Sequence, residues 1–280
     1  YNNSYYDKSK PIVDDAIYDS LKNEILELEK TYSFLKSKDS PSISIGFKPS
    51  KSFKKVKHKT PMLSLNNAFN REDIENFEKK ILNFLNFKNR NNIEYSAEPK
   101  IDGISASLVY KKGKFIRGLS RGDGIEGEDI TENLKTIDDI PKILKGKDIP
   151  DEIDVRGEVF IKNSDFEKLN NKFANPRNAA SGSLRQKDPL KTKQIPLNFI
   201  AYTYGFVKNF VISNQIEFLK SLKNWGFKTN KFNKLLKGID DLIQNHIDLE
   251  GKRKEIDYDI DGIVYKINDF DLQRRLGIYC

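Results

Sequence analysis

One short string of the sequence combines residue types that could transfer a phosphate-linked group. In Glu98-Pro-Lys-Ile-Asp-Gly103, Lys100 has an acidic residue two positions before it and another two positions after it. A lysine amine that burial or nearby positive charge has freed of its proton can attack an electrophile such as phosphorus. The glycine would permit close backbone approach or a positive φ. A solvated lysine beside a turn is the simpler explanation of the same string, so the string alone favours a turn.

Three further strings bring charged residues onto or beside predicted strands. They are Arg121-Gly-Asp-Gly124, Arg156-Gly-Glu158 and Asp261-Gly-Ile-Val-Tyr-Lys266. Each of these charges, taken alone, is typical of a solvated surface residue. Together they suit one nucleotide, because Arg121 and Lys266 could hold its phosphate and ribose. Glu158 could accept hydrogen bonds from ribose hydroxyls or help to place a divalent metal.

The hydrophobic pattern predicts an α+β protein whose strands carry these strings. Apolar residues at helical spacing predict helices over residues 13–36, 71–85, 214–225 and 239–254. Alternating apolar residues predict strands over 93–97, 105–110, 115–119, 153–161, 197–204 and 262–267. A tight turn at Lys112-Gly-Lys114 joins two of these strands. Strands joined by tight turns and interspersed with helices favour largely antiparallel sheets.

Composition limits the class of protein. The 280 residues, 37% of them hydrophobic, suffice for one large or two ordinary domains with buried cores. No apolar run approaches the roughly 18 residues of a membrane span, and no secretion signal is present, so we expect a cytoplasmic protein without a membrane partner. The net charge of +8 is weak evidence for a polyanionic partner. Cys280 is the only cysteine, so we expect no zinc site of cysteine type in this chain.

These strings resemble those of the covalent nucleotidyltransferases and, within them, of the bacterial NAD+-dependent DNA ligases. The resemblance covers the chain from Tyr5 to about Gly277, and its most specific part is the run from Phe173 to Gln186. The other matching strings are Thr60-Pro-Met-Leu-Ser-Leu65, Glu98-Pro-Lys-Ile-Asp-Gly103, Arg121-Gly-Asp-Gly124, Arg156-Gly-Glu-Val-Phe160 and Asp259-Ile-Asp-Gly-Ile-Val-Tyr-Lys266. The resemblance implies a nucleotidyltransferase (ATP-grasp-like) domain with helices flanking its antiparallel sheets and a nucleotide in the groove between the sheets.

The resemblance also implies roles for the matching residues. Lys100 would attack the α-phosphorus of NAD+, form lysyl-AMP and release nicotinamide mononucleotide, and Asp102 would orient or tune it. The nucleotide would be bound by Ser64, by Leu65 and Glu98 at the adenine, by Arg121 and Glu158 at the ribose side and by Lys266 at the phosphate. Mg2+ or Mn2+ would neutralise phosphate charge during transfer, with Glu158 as a possible ligand.

The N-terminal segment would distinguish NAD+ from ATP as the cosubstrate. The residues that resemble the family's nicotinamide mononucleotide-binding segment are Tyr5, Tyr6, Asp15, Ala16, Ile17, Tyr18 and Asp19. Aromatic rings can stack on a cationic nicotinamide, and carboxylates can hold ribose hydroxyls or balance charge. Without the downstream strings, an exposed helix start with a capping aspartate and two partly buried tyrosines would be the simpler interpretation.

The resemblance also implies a macromolecular partner. In the family, AMP passes to the 5′-phosphate of a DNA nick, and the neighbouring 3′-hydroxyl then displaces it. We therefore expect nicked duplex DNA as the partner of the complete enzyme, a monomer associated with the bacterial nucleoid. Arg177 and Arg185 are candidates for DNA-phosphate contacts, and salt bridges that stabilise the fold explain both residues equally well.

The resemblance predicts two domains and leaves two other functions open. We expect an N-terminally truncated helical NAD+-recognition domain over residues 1–52 and an adenylation domain over 53–280 that stops short at its C-terminal end. Family members continue into another phosphate-binding lysine, an OB-fold and a zinc module. We therefore expect this chain to self-adenylylate weakly without sealing nicks efficiently. The alternatives are a chain that binds NAD+ or nucleic acid without transferring AMP, and an ATP-dependent nucleotidyltransferase.

Overall fold

A computed structural model describes residues 15–35, 53–87, 93–169 and 173–277, without the side chains of residues 15–20, 22, 23 and 33. Its helices are α1 (Asp15–Thr31), α2 (Arg71–Leu85), α3 (Thr131–Leu134), α4 (Asn163–Phe166), α5 (Pro176–Leu184), α6 (Pro189–Lys193), α7 (Gln215–Asn224), α8 (Gly238–Gly251) and α9 (Phe270–Leu276). Its strands are β1 (Lys55–Lys57), β2 (Glu94–Ile101), β3 (Ile104–Lys111), β4 (Lys114–Ser120), β5 (Glu126–Glu128), β6 (Glu152–Ile161), β7 (Leu197–Lys208), β8 (Lys234–Lys237) and β9 (Ile260–Ile267). Within these residues no helix is both long and apolar enough to cross a membrane.

The strands form two main sheets and one small ribbon, and every described strand pair is antiparallel. One sheet has the order β4-β3-β6-β7, the other has the order β8-β2-β9, and β1 pairs with β5. The predicted α+β class with antiparallel sheets flanked by helices is confirmed. The predicted hairpin between β3 and β4 is also present, and its turn residues Lys112 and Gly113 both have positive φ, at 46° and 73°. Two such residues in succession suit the right-handed twist of the flanking strands.

Strand β2 is longer than the sequence pattern predicts. We expected it to end at Ala97, before Lys100, but its pairing with β9 continues through Lys100 opposite Gly262. The partner strand β8 covers only Glu94 to Ala97, so Pro99 lies where β2 has a free edge on that side. A proline is tolerated at such an edge because its missing N–H removes no bond from a central ladder. Lys100 therefore stands on a paired strand rather than in a loop.

The two largest of four apolar clusters in the described residues hold the sheets and helices together. The larger core packs the four-stranded sheet against α7 and neighbouring segments, and its fully buried side chains include Trp225, Phe218 and Phe199. The smaller core packs α2, α8 and α9 on the three-stranded sheet around Ile81 and Tyr95. Each fully buried large apolar side chain contributes about 1.5–3 kcal/mol. These cores fix the sheet faces that carry the charged residues.

Gly103 directly precedes β3 and lies close against the backbone of β6. A Cβ atom at this position would meet the carbonyl oxygen of Val159 at 2.4 Å and the Cγ of Glu158 at 2.8 Å. The φ angle of Gly103 is not positive, so of the two reasons that the sequence offers for this glycine, close approach applies.

Gly103→Ala is expected to lower the free energy of unfolding by roughly 2–3 kcal/mol, because a backbone oxygen cannot yield as a flexible side chain can. Urea denaturation of the purified chain measures this loss. Gly182→Ala is the matched control: it lies inside α5, and its nearest non-helical neighbour is a Phe173 ring atom at 3.5 Å. That variant should match or slightly exceed the wild type. Equal losses for the two variants would contradict the close-approach explanation.

Candidate nucleotide-binding site

Strands β2 and β9 bring two lysines from distant parts of the chain onto one face of a sheet. Alternation along β2 turns Ser96, Glu98 and Lys100 to the same side. The antiparallel register puts Lys266 opposite Ser96 and Gly262 opposite Lys100. Residues directly opposite each other in such a pair share a face. Lys100 and Lys266 therefore line one surface, with Glu98 between them.

Lys100 has a carboxylate partner that the sequence interpretation did not assign. Its Nζ donates a hydrogen bond to Oδ2 of Asp261 at 2.6 Å, and the Lys100 side chain is 44% exposed. The amine is thus held in a defined direction and remains accessible to a ligand. The sequence argument considered burial or neighbouring positive charge as ways of activating Lys100, whereas the structure provides a potential proton acceptor. Asp261 belongs to one of the matching strings, where it precedes a glycine. An acidic residue at that place was the signal from which the sequence could have predicted this partner.

Glu98 and Lys266 form a buried ion pair under this surface. The Lys266 ammonium donates to Glu98 Oε2 at 2.9 Å, and the Glu98 side chain is only 4% exposed. Glu98 Oε1 also accepts from the Ser96 hydroxyl at 3.0 Å. The sequence interpretation assigned Glu98 to the adenine and Lys266 to the phosphate. In the structure the two residues bind each other, and both assignments stay predictions.

Tyr202 on β7 is a site residue that the sequence analysis missed. The Lys266 ammonium donates to the Tyr202 carbonyl at 3.2 Å and lies 5.3 Å from the centre of its ring. The Tyr202 hydroxyl bonds to Ser105, and burial raises the pKa of Tyr202. An aromatic residue in the middle of a predicted strand was the only signal, and it did not distinguish a site residue from a core residue.

The charged face of β6 is buried rather than solvated. Asp154, Arg156 and Glu158 are each less than 10% exposed. Ser105 donates at 2.9 Å to Glu158, its opposite residue on β6, and Ser107 donates at 2.5 Å to Asp154, which lies diagonally across from it. Taken singly, Arg156 and Glu158 would be typical of solvated surface residues, whereas the structure buries both.

Arg156 connects the β6 face to the segment before α2. Its guanidinium donates to the Thr60 carbonyl at 2.5 Å and to the Pro61 carbonyl at 3.0 Å, and it pairs with Asp154 at 3.2 Å. A Cβ atom at Gly205 would lie 2.2 Å from this guanidinium. The glycine on β7 thus leaves the space that the buried arginine occupies.

The segment that follows Pro61 carries Ser64 and Leu65, two of the predicted nucleotide contacts. Arg121 donates to the Ser64 hydroxyl at 2.9 Å and to the Met62 carbonyl at 3.3 Å, so the structure brings these predicted site residues together. The ring of His58 contacts the Arg121 carbonyl at 3.1 Å, and burial lowers the pKa of His58. Leu65 is 58% exposed, which leaves an apolar side chain open to a ligand.

Asp102 and the two candidate DNA-binding arginines form ion pairs within the chain. Arg177 pairs with Asp102 at 2.5 Å, and Arg185 pairs with the buried Glu128 at 3.4 Å. Burial raises the pKa of Asp102, and the positive charge of Arg177 partly opposes that shift. Both arginines have the intramolecular partners that the fold-stabilising interpretation expects, and contact with DNA stays a prediction.

Glu158 is the most strongly perturbed carboxyl group of the site. Burial raises its pKa to about 7, against the opposing influence of Arg177, Ser105 and Lys100. In the unfolded chain the group would titrate near its ordinary value of 4.5. Because the folded chain holds this proton more tightly, stability is lost as the pH rises from about 4.5 to about 7.

Glu158→Gln is expected to abolish that loss, which is on the order of 3 kcal/mol. The stability of the variant relative to the wild type should therefore increase as the pH rises. Between pH 4 and pH 8 the difference between their free energies of unfolding should change by about 3 kcal/mol. Urea denaturation at both pH values measures this difference. Glu126→Gln, an exposed carboxylate of β5, is the control and should leave the pH dependence of the wild type unchanged. A constant difference between Glu158→Gln and the wild type would contradict the prediction.

No three metal-ligating side chains converge anywhere in the described parts of the chain. The described residues thus do not fit a metal site made of protein ligands alone. Mg2+ commonly binds through one or two carboxylates together with substrate phosphates and water. The residues around Lys100 offer such carboxylates in Asp261 and Glu158.

The chain matches two family models that together span most of its length. Residues 50–280 match the "NAD-dependent DNA ligase adenylation domain", and residues 1–46 match the "DNA ligase-like, N-terminal NAD+-binding domain". The N-terminal candidates Tyr5 and Tyr6 lie outside the described residues, and the side chains of Asp15, Ala16, Ile17, Tyr18 and Asp19 are not described.

Two curated relatives and one solved structure are similar to the chain to different degrees. The chain is 66% identical over 277 residues to a DNA ligase of Pelagibacter ubique (strain HTCC1062), covering 99% of this chain and 41% of that protein. It is 47% identical over 281 residues to a DNA ligase of Parvibaculum lavamentivorans (strain DS-1 / DSM 13023 / NCIMB 13966), covering 98% of this chain and 40% of that protein. A structure of mycobacterial DNA ligase D complexed with ATP and MES aligns at 17% identity and a TM-score of 0.40, covering 63% of this chain and 49% of that one.

The chain thus spans about two fifths of the length of these curated relatives. Nearly all of it aligns with them, and the adenylation-domain match alone covers residues 50–280. The resemblance inferred from the sequence strings is confirmed, and the chain belongs to the NAD-dependent DNA ligase family.

Proposed function

We propose that this chain performs the adenylation step of an NAD+-dependent DNA ligase. The Lys100 nitrogen attacks the adenylate phosphorus of NAD+, and a P–N bond forms. The bond from that phosphorus to the bridging oxygen breaks, and its electron pair leaves with nicotinamide mononucleotide. The observation that carries this proposal is the accessible Lys100 amine, which a single carboxylate oxygen of Asp261 holds at 2.6 Å.

Asp261 has the position of a proton acceptor for this attack. A protonated amine has no free electron pair, so the Lys100 ammonium must lose a proton before the nitrogen can bond to phosphorus. Asp261 Oδ2 already accepts a hydrogen bond from this ammonium, which gives the first proton a short path. The second proton leaves the nitrogen as the phosphoramidate forms.

The remaining site residues suit the two ends of the adenylate. We propose that the Tyr202 ring and the exposed Leu65 side chain pack on the adenine, because both offer apolar surface. Arg121 and Lys266 would bind the ribose and phosphate side as hydrogen-bond donors. Glu158 would accept from a ribose hydroxyl or join the coordination of Mg2+ or Mn2+, which would otherwise rest on the nucleotide phosphates.

The partners and domain limits follow from the family match. We propose an NAD+-recognition domain over residues 1–52, with Tyr5, Tyr6 and residues 15–19 at the nicotinamide mononucleotide, and an adenylation domain over 53–280. The two matched ranges, 1–46 and 50–280, support a boundary in this region. The complete enzyme would act on nicked duplex DNA in the bacterial cytoplasm, at the nucleoid, as a monomer. Arg177 and Arg185 remain candidates for the DNA backbone, and zinc is not expected in this chain.

Covalent labelling tests the proposal directly. The chain is incubated with Mg2+ and with NAD+ or ATP that carries the label in its adenylate phosphate, and is then denatured. Label from NAD+ that survives denaturation, without label from ATP, is the expected result. Labelling from ATP would favour an ATP-dependent nucleotidyltransferase. Measurable NAD+ binding without any covalent label would mean that the chain binds its cosubstrate and transfers nothing.

A further inference from the structure

Gln215 is a buried polar residue beside the site that belongs to none of the matching strings. It is the first residue of α7 and is 0% exposed. Its side-chain nitrogen donates to Glu98 Oε1 at 2.8 Å and to the Tyr202 carbonyl at 2.6 Å. An amide nitrogen has two hydrogens, so both are used. One hydrogen goes to the three-stranded sheet and the other to the four-stranded sheet.

The orientation of this amide follows from its partners. Both neighbours are acceptors, so only the nitrogen can face them. The amide oxygen has no hydrogen-bond partner among the described residues. A buried acceptor without a partner is unfavourable. The contribution of this side chain therefore comes from its two N–H donors and not from its amide oxygen.

The backbone around Gln215 holds the side chain in place. Its own N–H donates to the Asn268 carbonyl at 2.8 Å, and the next N–H, of Ile216, donates to the Asn268 side chain at 3.1 Å. Asn214 caps the helix by accepting from the N–H of Glu217 at 2.9 Å. Since Asn268 directly follows β9, the start of α7 is tied to the strand that carries Lys266.

Gln215 and Lys266 bind the same two groups. Lys266 donates to the other oxygen of Glu98 at 2.9 Å and to the same Tyr202 carbonyl at 3.2 Å. The four groups close a ring in which two donors each bridge two acceptors. If Lys266 turned toward a bound nucleotide, Gln215 would still bond to Glu98 and to the carbonyl. Without Gln215, Lys266 would be the one remaining donor in this ring for both acceptors.

We propose that Gln215 is a positioning residue that fixes Glu98 and Tyr202 and thereby leaves the Lys266 ammonium available to the nucleotide. The inference rests on the proposed function, because it takes the Lys266 ammonium to bind the nucleotide. Gln215 itself touches no substrate in this scheme. It acts by donating hydrogen bonds to two acceptors that would otherwise both depend on the Lys266 ammonium.

Gln215→Met tests the donors, because methionine has a similar size and no N–H. The dependence of the labelling rate on NAD+ concentration and the NAD+ dissociation constant from calorimetry are both measured. Half-saturation and dissociation constant are expected to rise at least 10-fold, with a smaller change in the maximal rate. Leu222→Ala is the matched control, since Leu222 is fully buried on the same helix in the apolar core. It should lose comparable stability and keep its NAD+ affinity.

Gln215→Glu adds a readout that a purely structural role would not give. An ionised glutamate would face the Glu98 carboxylate without any donor, whereas a protonated one could still donate a single hydrogen bond. The charged groups facing this position are Glu98 from β2 and Lys266 from β9, while Glu217 on α7 is exposed and bonds to Ser213. The loss of NAD+ affinity should therefore be several-fold larger at pH 8 than at pH 6.

The two measurements separate this inference from the proposed function. A wild-type chain that binds NAD+ but takes no label contradicts the adenylation proposal alone, and the dissociation constants of the variants still decide the role of Gln215. Wild-type NAD+ affinity in Gln215→Met would overturn the inference. Equal losses of NAD+ affinity in Gln215→Met and Leu222→Ala would overturn it as well. A wild-type chain that neither binds nor reacts overturns both.

Discussion

Lys100→Ala is expected to leave the chain unable to take up covalent AMP, with a fall of at least about 1000-fold in the rate of labelling from NAD+. The reason is that the variant has no nitrogen at the position that Asp261 holds. Lys266 shares the same sheet face, but it is bound to the buried Glu98 and the Tyr202 carbonyl and cannot replace the missing amine. Quantifying label retained after denaturation measures the effect.

Lys100→Arg is the matched control for this experiment. The guanidinium keeps the positive charge and can still pair with Asp261, but it does not lose its proton near neutral pH. The variant should therefore be as inactive as Lys100→Ala while binding NAD+ at least as well. Both variants should unfold within about 1 kcal/mol of the wild type, because the Lys100–Asp261 pair is partly exposed. Label that persists in either variant would show that another residue is the nucleophile.

Lys266→Met is expected to lower the free energy of unfolding by about 3 kcal/mol, because it leaves the Glu98 carboxylate buried without its partner ion. The same change should weaken NAD+ binding by about 10- to 100-fold, the usual effect of losing a hydrogen bond from a charged donor. Urea denaturation measures the first effect and calorimetry the second.

The double variant Glu98→Gln with Lys266→Met separates the two effects. It contains neither buried charge, so its stability should return to within about 1 kcal/mol of the wild type. Its NAD+ affinity should remain low, because the ammonium is still absent. A double variant as unstable as Lys266→Met would contradict the explanation by an unpaired charge. Recovery of NAD+ binding in the double variant would remove Lys266 from the nucleotide site.

The sequence predicted the elements of the fold well because those elements depend on local patterns. The helical spacing of apolar residues identified α2, α7 and α8, and two-residue alternation identified β3, β4 and β6. The end of β2 was wrong because it depends on pairing with β9, which lies more than 150 positions further along the chain. No local pattern contains that pairing.

The site was predictable in its residue types and less so in its contacts. The strings predicted Lys100, Glu98, Glu158 and Lys266 as site residues, and the structure places them on β2, β6 and β9. Alternation along β6 showed that its charged residues share a side, but it could not show that the side is covered. The cover comes from the segment at residues 60–61 and from neighbouring strands, all of them distant in sequence.

Residues that act through others were beyond the reach of sequence reasoning. Gln215 begins a helix whose pattern explains only its apolar face, and Tyr202 looks like any aromatic residue on a strand. Their contacts with Glu98 and Lys266 arise only when the two sheets meet. For Arg177 the sequence left DNA contact and salt bridging equally open, and its ion pair with Asp102 supports the second.

Arg156 binds the segment before α2 through peptide carbonyls of that segment and through none of its side chains. The carbonyls of Thr60 and Pro61 bind its guanidinium, and the backbone groups of His58 and Met62 bond to those of Ile125 and Gly124. Any residue type supplies the same carbonyls. Adding or deleting one residue in this stretch would therefore shift every carbonyl out of register with the guanidinium, whichever side chains the stretch carries.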